Sequence, residues 1–301
     1  MRSKLLKGLL ALIAIAVVAC GVVVLLARPA SHHAFFAEAQ QQPLVIAHRG
    51  GKGLWPENTL YAFEQAVAVG VDVLEMDIHS TADGVPIVIH DSTVDRTTNG
   101  SGSVKALTLV ELKALDAGYN WSPDDGKTFP YRGQAITVPT LEEVLAAFPT
   151  MPMNMEIKRS GSEEQAESSL AAQLCRMIRD LDRTDQVLVA SFHEETMNEF
   201  RRECPEVATA ATQNEVVTLF VTSKMLLEPA YSPAAQAVQV PEYRGGLHLL
   251  TPRFVDASHH RGLQVHAWTI NDVDDMQRLL TLGVDGIITD YPDRLMELLD
   301  R

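Results

Sequence analysis

Eight short apolar runs of strand type, set between stretches of helical spacing, limit the possible folds of this chain more than any other feature. The runs begin at Leu44, Val73, Met153, Val187, Val207, Ala237, Leu263 and Gly286. A helical pattern opens at Pro56-Glu57-Asn58-Thr59, with Asn58 or Thr59 as N-cap, and Gly70 closes it after Val69. Further helical patterns run over 141–147, 163–180, 194–203, 216–226, 252–261, 272–282 and 293–299. Buried-type strands alternating with helices make a parallel sheet covered on its outer face. Eight such units in about 260 residues predict a (β/α)8 barrel of TIM type. A doubly wound sheet is the rival, but it wants a glycine-rich phosphate loop after an early strand. His48-Arg49-Gly50-Gly51-Lys52-Gly53 lacks that spacing.

The second unit breaks the rhythm. From Val73 to Asp91 the chain alternates apolar and polar residues, turns at Asp83-Gly84, and alternates again. Asp-Gly between two such runs is a strong two-residue hairpin signal. That turn sets Ala82 opposite Val85 and predicts Asp77 opposite His90. Glu75 shares the face of Asp77, because strand side chains repeat every second residue. Residues 92–137 are rich in Gly, Ser, Thr and Asp, with a short helix near 109–115. An irregular stretch of that length in a compact chain is usually a functional insertion.

Active sites of such barrels lie at the C-terminal ends of the strands. There the first strand offers His48 and Arg49, the second Glu75 and Asp77, and the hairpin His90. The third offers Glu156 and Lys158, and the seventh Trp268; Ser191 and Gln213 are weaker candidates at the fourth and fifth. Each alone has a plain structural reading: Trp268 as core, Glu156 and Lys158 as an ion pair, Glu57 as a first-turn helix acid. Together they do not, since so many charges at the ends of three strands are costly to bury. Glu75, Asp77 and Glu156 supply hard oxygen ligands suited to one divalent cation, Ca²⁺ or Mg²⁺, while the lack of cysteine disfavours structural zinc. Arg49 and Lys158 can hold an anion. Two histidines, one basic and one protonated, are the pair that phosphodiester cleavage needs.

The amino terminus is of another kind. Leu9 to Ala27 is uncharged and nearly all aliphatic, close to the length that crosses roughly 30 Å of bilayer core. Arg2, Lys4 and Lys7 precede it, which orients the remainder outside the cytoplasm, on the periplasmic or extracellular side. Residues 1–30 therefore read as an inner- or plasma-membrane anchor and 31–42 as a linker carrying a solvated His32-His33 pair, with the barrel spanning 43–301. Cleavage near Ala37 to Ala39, giving a secreted form, and lipidation at Cys20 are the alternatives. The chain carries −14, and without the first thirty residues, which hold four basic groups and no acid, −18. Such a surface argues against nucleic acid as a partner. Cys175 and Cys204 read as two buried free thiols rather than a pair.

With these residues in place, the sequence resembles the glycerophosphodiester phosphodiesterase family from about Leu44 to Leu299. The resemblance rests on His48-Arg49-Gly50, Pro56-Glu57-Asn58-Thr59, Leu74-Glu75-Met76-Asp77 and Asp83-Gly84 with Pro86 and His90-Asp91. It continues through Glu156-Ile157-Lys158, Trp268-Thr269-x-Asn271 and Gly286-Ile-Ile-Thr289-Asp290-Tyr291-Pro292. It implies a TIM-type barrel with 92–137 as a small inserted domain. It implies that Glu75, Asp77 and Glu156 bind one cation, that His48 and His90 are general acid and base, and that Arg49 and Lys158 hold phosphate. Trp268 would line the alcohol side of the pocket, and Glu57 would sit beside the metal or orient a catalytic histidine. The expected reaction is hydrolysis of glycerophosphodiesters to glycerol 3-phosphate and an alcohol. A lysophospholipase D at the membrane surface is the alternative, favoured by an apolar trench beside Trp268. A non-catalytic phosphoester-binding protein is the third reading, against which the two histidines argue.

Overall fold

In the computed structural model, residues 10, 18, 21–37, 42–158 and 169–301 are described. The strands in chain order are β1 Leu44–Ala47, β2 Val73–Ser80, β3 Pro86–Val88, β4 Met153–Ile157, β5 Val187–Ala190 and β6 Ala208–Thr209. They continue as β7 Ala237–Val240, β8 Tyr243–Arg244, β9 Leu247–His248, β10 Gln264–Ala267 and β11 Gly286–Thr289. Eight of them pair side by side in the order β6-β5-β4-β2-β1-β11-β10-β7, and the pairs with recorded register are all parallel. One bridge between Ala210 and Ala237 joins the two ends of that order, which all but closes the barrel. These are the eight runs read from the sequence.

Alternation along each strand divides the side chains between two cores. On β2, Leu74, Met76 and Ile78 point outward into the large cluster under the helices. Leu44, Ile46, Leu188, Ala208, Ala237 and Ile288 fill the barrel interior. Most helices begin at a side chain that satisfies an otherwise unpaired backbone N–H. Thr59 caps the helix Leu60–Val69, and Thr140 and Thr212 form full capping boxes with Glu143 and Glu215. The insertion has its own small core of Val94, Val104, Leu112 and Ala117 against Ile87 and Ile89, and its short helix is Leu109–Lys113.

Four features differ from the sequence reading. The hairpin loop has three residues, not two. A type I′ turn at Asp83-Gly84 would need positive φ at both, and only Gly84 has it, at 77°. Ala82-Asp83-Gly84 forms the loop between Thr81 and Val85, with Gly84 N–H donating to Thr81 O. The register therefore shifts by one, pairing Ile78 with Val88, so that Asp77 meets Ile89 rather than His90.

The segment read as the first part of a linker is docked. Ala30 N–H donates to Arg261 O, Gln236 Nε2 donates to Ser31 Oγ, and His33 Nε2 lies 2.9 Å from Glu206 O. Phe35 and Phe36 are buried among Leu44, Ile46 and Val73, so residues 28–37 stopper the floor of the barrel. His33 also caps the turn that follows through Nδ1, which accepts from Phe35 N–H, so it is not merely a solvated histidine.

Cys175 and Cys204 form a disulfide rather than two thiols, joining the helix Leu170–Asp180 to the end of the helix Glu194–Glu203. A second hairpin, β8–β9, stands out from the barrel after β7 and carries no clear sequence signal. Most of the expected membrane segment 9–27, with Cys20, lies outside the described residues. So do residues 38 and 39 of the cleavage alternative and the first residues of the helix expected from 163. Among the described residues no helix is long and apolar enough to cross a membrane.

Candidate active site

The loop after β1 is the tightest part of the site. Arg49 adopts left-handed φ of 52° and Gly50 of 78°. A Cβ on Gly50 would come within 2.8 Å of the Phe63 ring, so this position admits only glycine. The turn points Arg49 N–H at Glu75 Oε2, 2.7 Å away, and brings Arg49 Nη1 to 2.8 Å from Glu57 Oε1. Asn58, also at positive φ, donates its amide to Asp77 Oδ2, leaving Thr59 as the helix cap.

β2 and β4 set the acids. Their register pairs Glu75 with Asn154 and Asp77 with Glu156, all on the inner face. Ligand oxygens of Glu75, Asp77 and Glu156 lie within 4.8 Å of one another. Lys158 Nζ reaches both Asp77 Oδ1 at 2.9 Å and Glu156 Oε1 at 2.6 Å. Burial, then the charge of Asp77, pushes the Glu75 carboxyl well above the usual range. Burial pushes Glu156 up as well. For Asp77 burial is outweighed by Lys158 and Arg49, which hold it at about 2. Three carboxylates here face two cationic side chains, Arg49 and Lys158, which leaves the acids in excess. A divalent cation answers that imbalance, and three carboxylates are a donor set for a hard one.

Both histidines are backed by a carboxylate. His48 Nδ1 lies 2.6 Å from Asp290 Oδ1, and His90 Nδ1 lies 2.6 Å from Asp91 Oδ1. With the Nδ1 proton directed at the carboxylate, Nε2 is the nitrogen left for proton transfer. Burial lowers the pKa of each ring, against the raising effect of its partner acid. Asp290 is held in turn by Asn271, whose Nδ2 donates to Oδ2 at 2.8 Å, and by Lys52 at 3.6 Å. Asp91 is held by Arg96 Nε at 2.6 Å, and the same guanidinium forks onto Glu57 at 2.7 and 2.8 Å. His90 lies one residue beyond the last hairpin bond, from Ile89 N–H to Asp77 O, and lines the site despite the shifted register.

His48, Arg49, Glu75, Asp77, His90, Glu156, Lys158 and Trp268 all line one cavity of about 500 Å³, as do Ser191 and Gln213. Glu57 does not line it. Its carboxylate ties Arg49 to Arg96, which also holds Asp91 behind His90. The supporting residues Asp91, Arg96, Asn58, Asn271 and Asp290 escaped the sequence reading as site members. The available signals were that Asp91 adjoins His90 and that Asn58, Asn271 and Asp290 stand in the motifs named above; Arg96 had none.

Comparison with known proteins agrees with this geometry. Residues 48–294 match the model of the glycerophosphoryl diester phosphodiesterase family. The chain is 35% identical to a glycerophosphodiester phosphodiesterase of Caldanaerobacter subterraneus subsp. tengcongensis, over 85% of this chain and 97% of that one. It is similar to the solved structure of a glycerophosphodiester phosphodiesterase from Agrobacterium tumefaciens, with TM-score 0.65 and 27% identity over 84% of this chain and 98% of that one. It is also similar to an Oleispira antarctica phosphodiesterase solved with the product sn-glycerol-3-phosphate. There the TM-score is 0.66 and the identity 26%, over 87% of this chain and 98% of that one. A barrel with two histidine–carboxylate pairs facing an acid cluster, matched to that family along almost its whole length, belongs to the glycerophosphoryl diester phosphodiesterase family.

Proposed function

We propose that this chain hydrolyses glycerophosphodiesters to glycerol 3-phosphate and a free alcohol, using His48 and His90 as its acid–base pair. The observation that carries the reading is the presence of both rings, each anchored by its own carboxylate, in the cavity that holds the acid cluster. One ring takes the proton of the attacking hydroxyl through Nε2, and the other delivers a proton to the departing alcohol oxygen. Arg49 and Lys158 hold the phosphate oxygens, Arg49 from a backbone locked by Glu75 and Glu57. Trp268 packs against the carbon skeleton. Glu75, Asp77 and Glu156 would hold one divalent cation, Ca²⁺ or Mg²⁺, whose chemistry there is to polarise the phosphoryl oxygen and offset developing charge.

The test is turnover of glycerophosphocholine and glycerophosphoethanolamine by the purified chain with Ca²⁺ or Mg²⁺. Activity is expected, with loss on chelation and recovery on adding the ion back. His48→Ala and His90→Ala should each cost about 10²–10⁴-fold in kcat. Unchanged turnover in either variant refutes the acid–base assignment.

We place the barrel outside the cytoplasm, held to the membrane by the segment 9–27. The disulfide supports an oxidising compartment, and Arg2, Lys4 and Lys7 support the orientation. A reporter fused behind residue 40 should be active only outside the cytoplasm; a cytoplasmic signal refutes the placement.

A further inference from the structure

Across the barrel from the acids, the catalytic cavity holds a second polar pair. In the pairing order, closed by the Ala210–Ala237 bridge, β7 stands opposite β2 and β10 opposite β4. On those two strands Gln239 pairs with His266, and Trp268 follows His266 two residues later on the same face. Gln239 and Trp268 both line the cavity, so the amide lies one step beneath the indole. Gln239 Nε2 is 3.3 Å from His266 Nδ1. The ring is fully buried and pinned. A Cβ on Gly286 would come within 3.1 Å of its Cδ2, and Phe36 packs on it with ring centroids 5.9 Å apart.

Nothing in the hydrolytic steps uses this pair. Burial holds the ring down at about 4, so it is neutral and keeps a lone pair for the amide N–H. His266 Nε2 has no partner, which leaves Nδ1 as the nitrogen that ties the ring to Gln239. With its nitrogen spent on a ring that cannot turn, Gln239 has its oxygen left for an occupant. Ser191 and Gln213, also in the cavity, are engaged: Ser191 Oγ donates to Ile157 O at 2.9 Å, and Gln213 Oε1 accepts from Arg244 at 3.1 Å. Gln239 is half-buried, so an occupant without a hydroxyl would close over its amide and leave it unpaired, at a cost in binding. A hydroxyl is donor and acceptor at once and satisfies the amide at either end.

We propose that Gln239, held by His266, selects the substrate through a hydrogen bond to a glycerol hydroxyl on the side of the cavity opposite the acids. His266 is a positioning residue here, since it meets Gln239 and not the cavity. The inference rests on the hydrolytic reading of the same site and names the group by which the glycerol half is told from a plain alkyl chain. With the phosphate held at Arg49 and Lys158, the glycerol carbons cross toward Trp268 and a hydroxyl meets the amide beneath it. Glycerol is the source of that hydroxyl, because esterified choline and ethanolamine carry none.

The experiment measures, by calorimetry on the full chain with Ca²⁺ or Mg²⁺, the binding of sn-glycerol 3-phosphate and of propyl phosphate. The second has the same carbon chain without hydroxyls. The wild-type chain should prefer glycerol 3-phosphate about 3–10-fold, the worth of one hydrogen bond. Gln239→Leu should abolish that preference by weakening glycerol 3-phosphate alone, leaving propyl phosphate within about twofold. His266→Leu should narrow the preference with propyl phosphate again unmoved, whereas a purely structural role would weaken both ligands alike. Equal affinities in the wild-type chain overturn the hydroxyl contact without recourse to any variant. A preference that survives Gln239→Leu, or an equal loss of both ligands, also overturns it, and a preference untouched by His266→Leu overturns the positioning role. Turnover of glycerophosphocholine by a chain without the preference leaves the hydrolytic reading standing; the preference without turnover leaves the contact standing and refutes that reading.

Discussion

Asp290 shows how a residue outside the cavity can govern one inside it. Its carboxylate favours the protonated form of His48 against the burial that disfavours it. Asp290→Asn keeps the shape but removes the charge, so the His48 pKa should fall further. A histidine that loses its proton at lower pH stays neutral, and competent as a base, into more acid solution. The acid limb of the kcat/KM profile should therefore move to lower pH while kcat falls by roughly 10–100-fold. A lower rate with an unmoved acid limb would mean that Asp290 only supports the local fold. Arg96 acts through one more link, holding Asp91 behind His90 and Glu57 behind Arg49, and so ties the insertion to both side chains. At this scale the sequence spoke clearly of the groups that enter the cavity, because strand ends and period-two spacing put them there. It was silent on their supports, since Asp290 and Arg96 meet their partners across 242 and 39 residues of chain.

The hairpin marks the limit of pattern reading for a single element. Asp-Gly announced the turn correctly, but whether the loop holds two or three residues depends on which positions take positive φ, and only Gly84 does. The shift misaligned every predicted cross-strand pair. The site survived because Glu75 and Asp77 owe their face to β2 alone, and because His90 lies beyond the last ladder residue. The disulfide was unreadable for a related reason. Cys175 and Cys204 come together only once two neighbouring helices pack, which spacing along the chain does not report. Closing a loop of that length, 29 residues apart in sequence, stabilises a fold by roughly 3 kcal/mol through the unfolded chain. Cys175→Ser with Cys204→Ser should therefore lower the Tm by several degrees. An identical Tm for the variant and the wild-type chain under oxidising conditions would show that the bond adds nothing.

For the whole molecule, the barrel was legible because its eight strands are buried on both faces and read as apolar runs, whereas β8 and β9, short and exposed, do not. The acid cluster is a property of this scale, because β2 and β4 must be aligned before its three carboxylates meet. An ion that binds only the aligned state stabilises it, by about 2.7 kcal/mol at a hundred times its Kd. Ca²⁺ or Mg²⁺ should raise the Tm by roughly 5 °C, and Glu75→Gln with Glu156→Gln should abolish the rise. If neither ion moves the Tm of the unaltered chain, the three acids are not its site.

The stopper at residues 28–37 gives the molecule a direction. Its hydrogen-bond partners Glu206, Ser232, Gln236 and Arg261 stand ahead of parallel barrel strands, whereas His48, Lys158 and Asp290 all stand just after one. The polypeptide ahead of Arg28 thus departs from the pole opposite the catalytic opening. Fastened by that end to any support, the enzyme works with its back to the support and its mouth to the open medium.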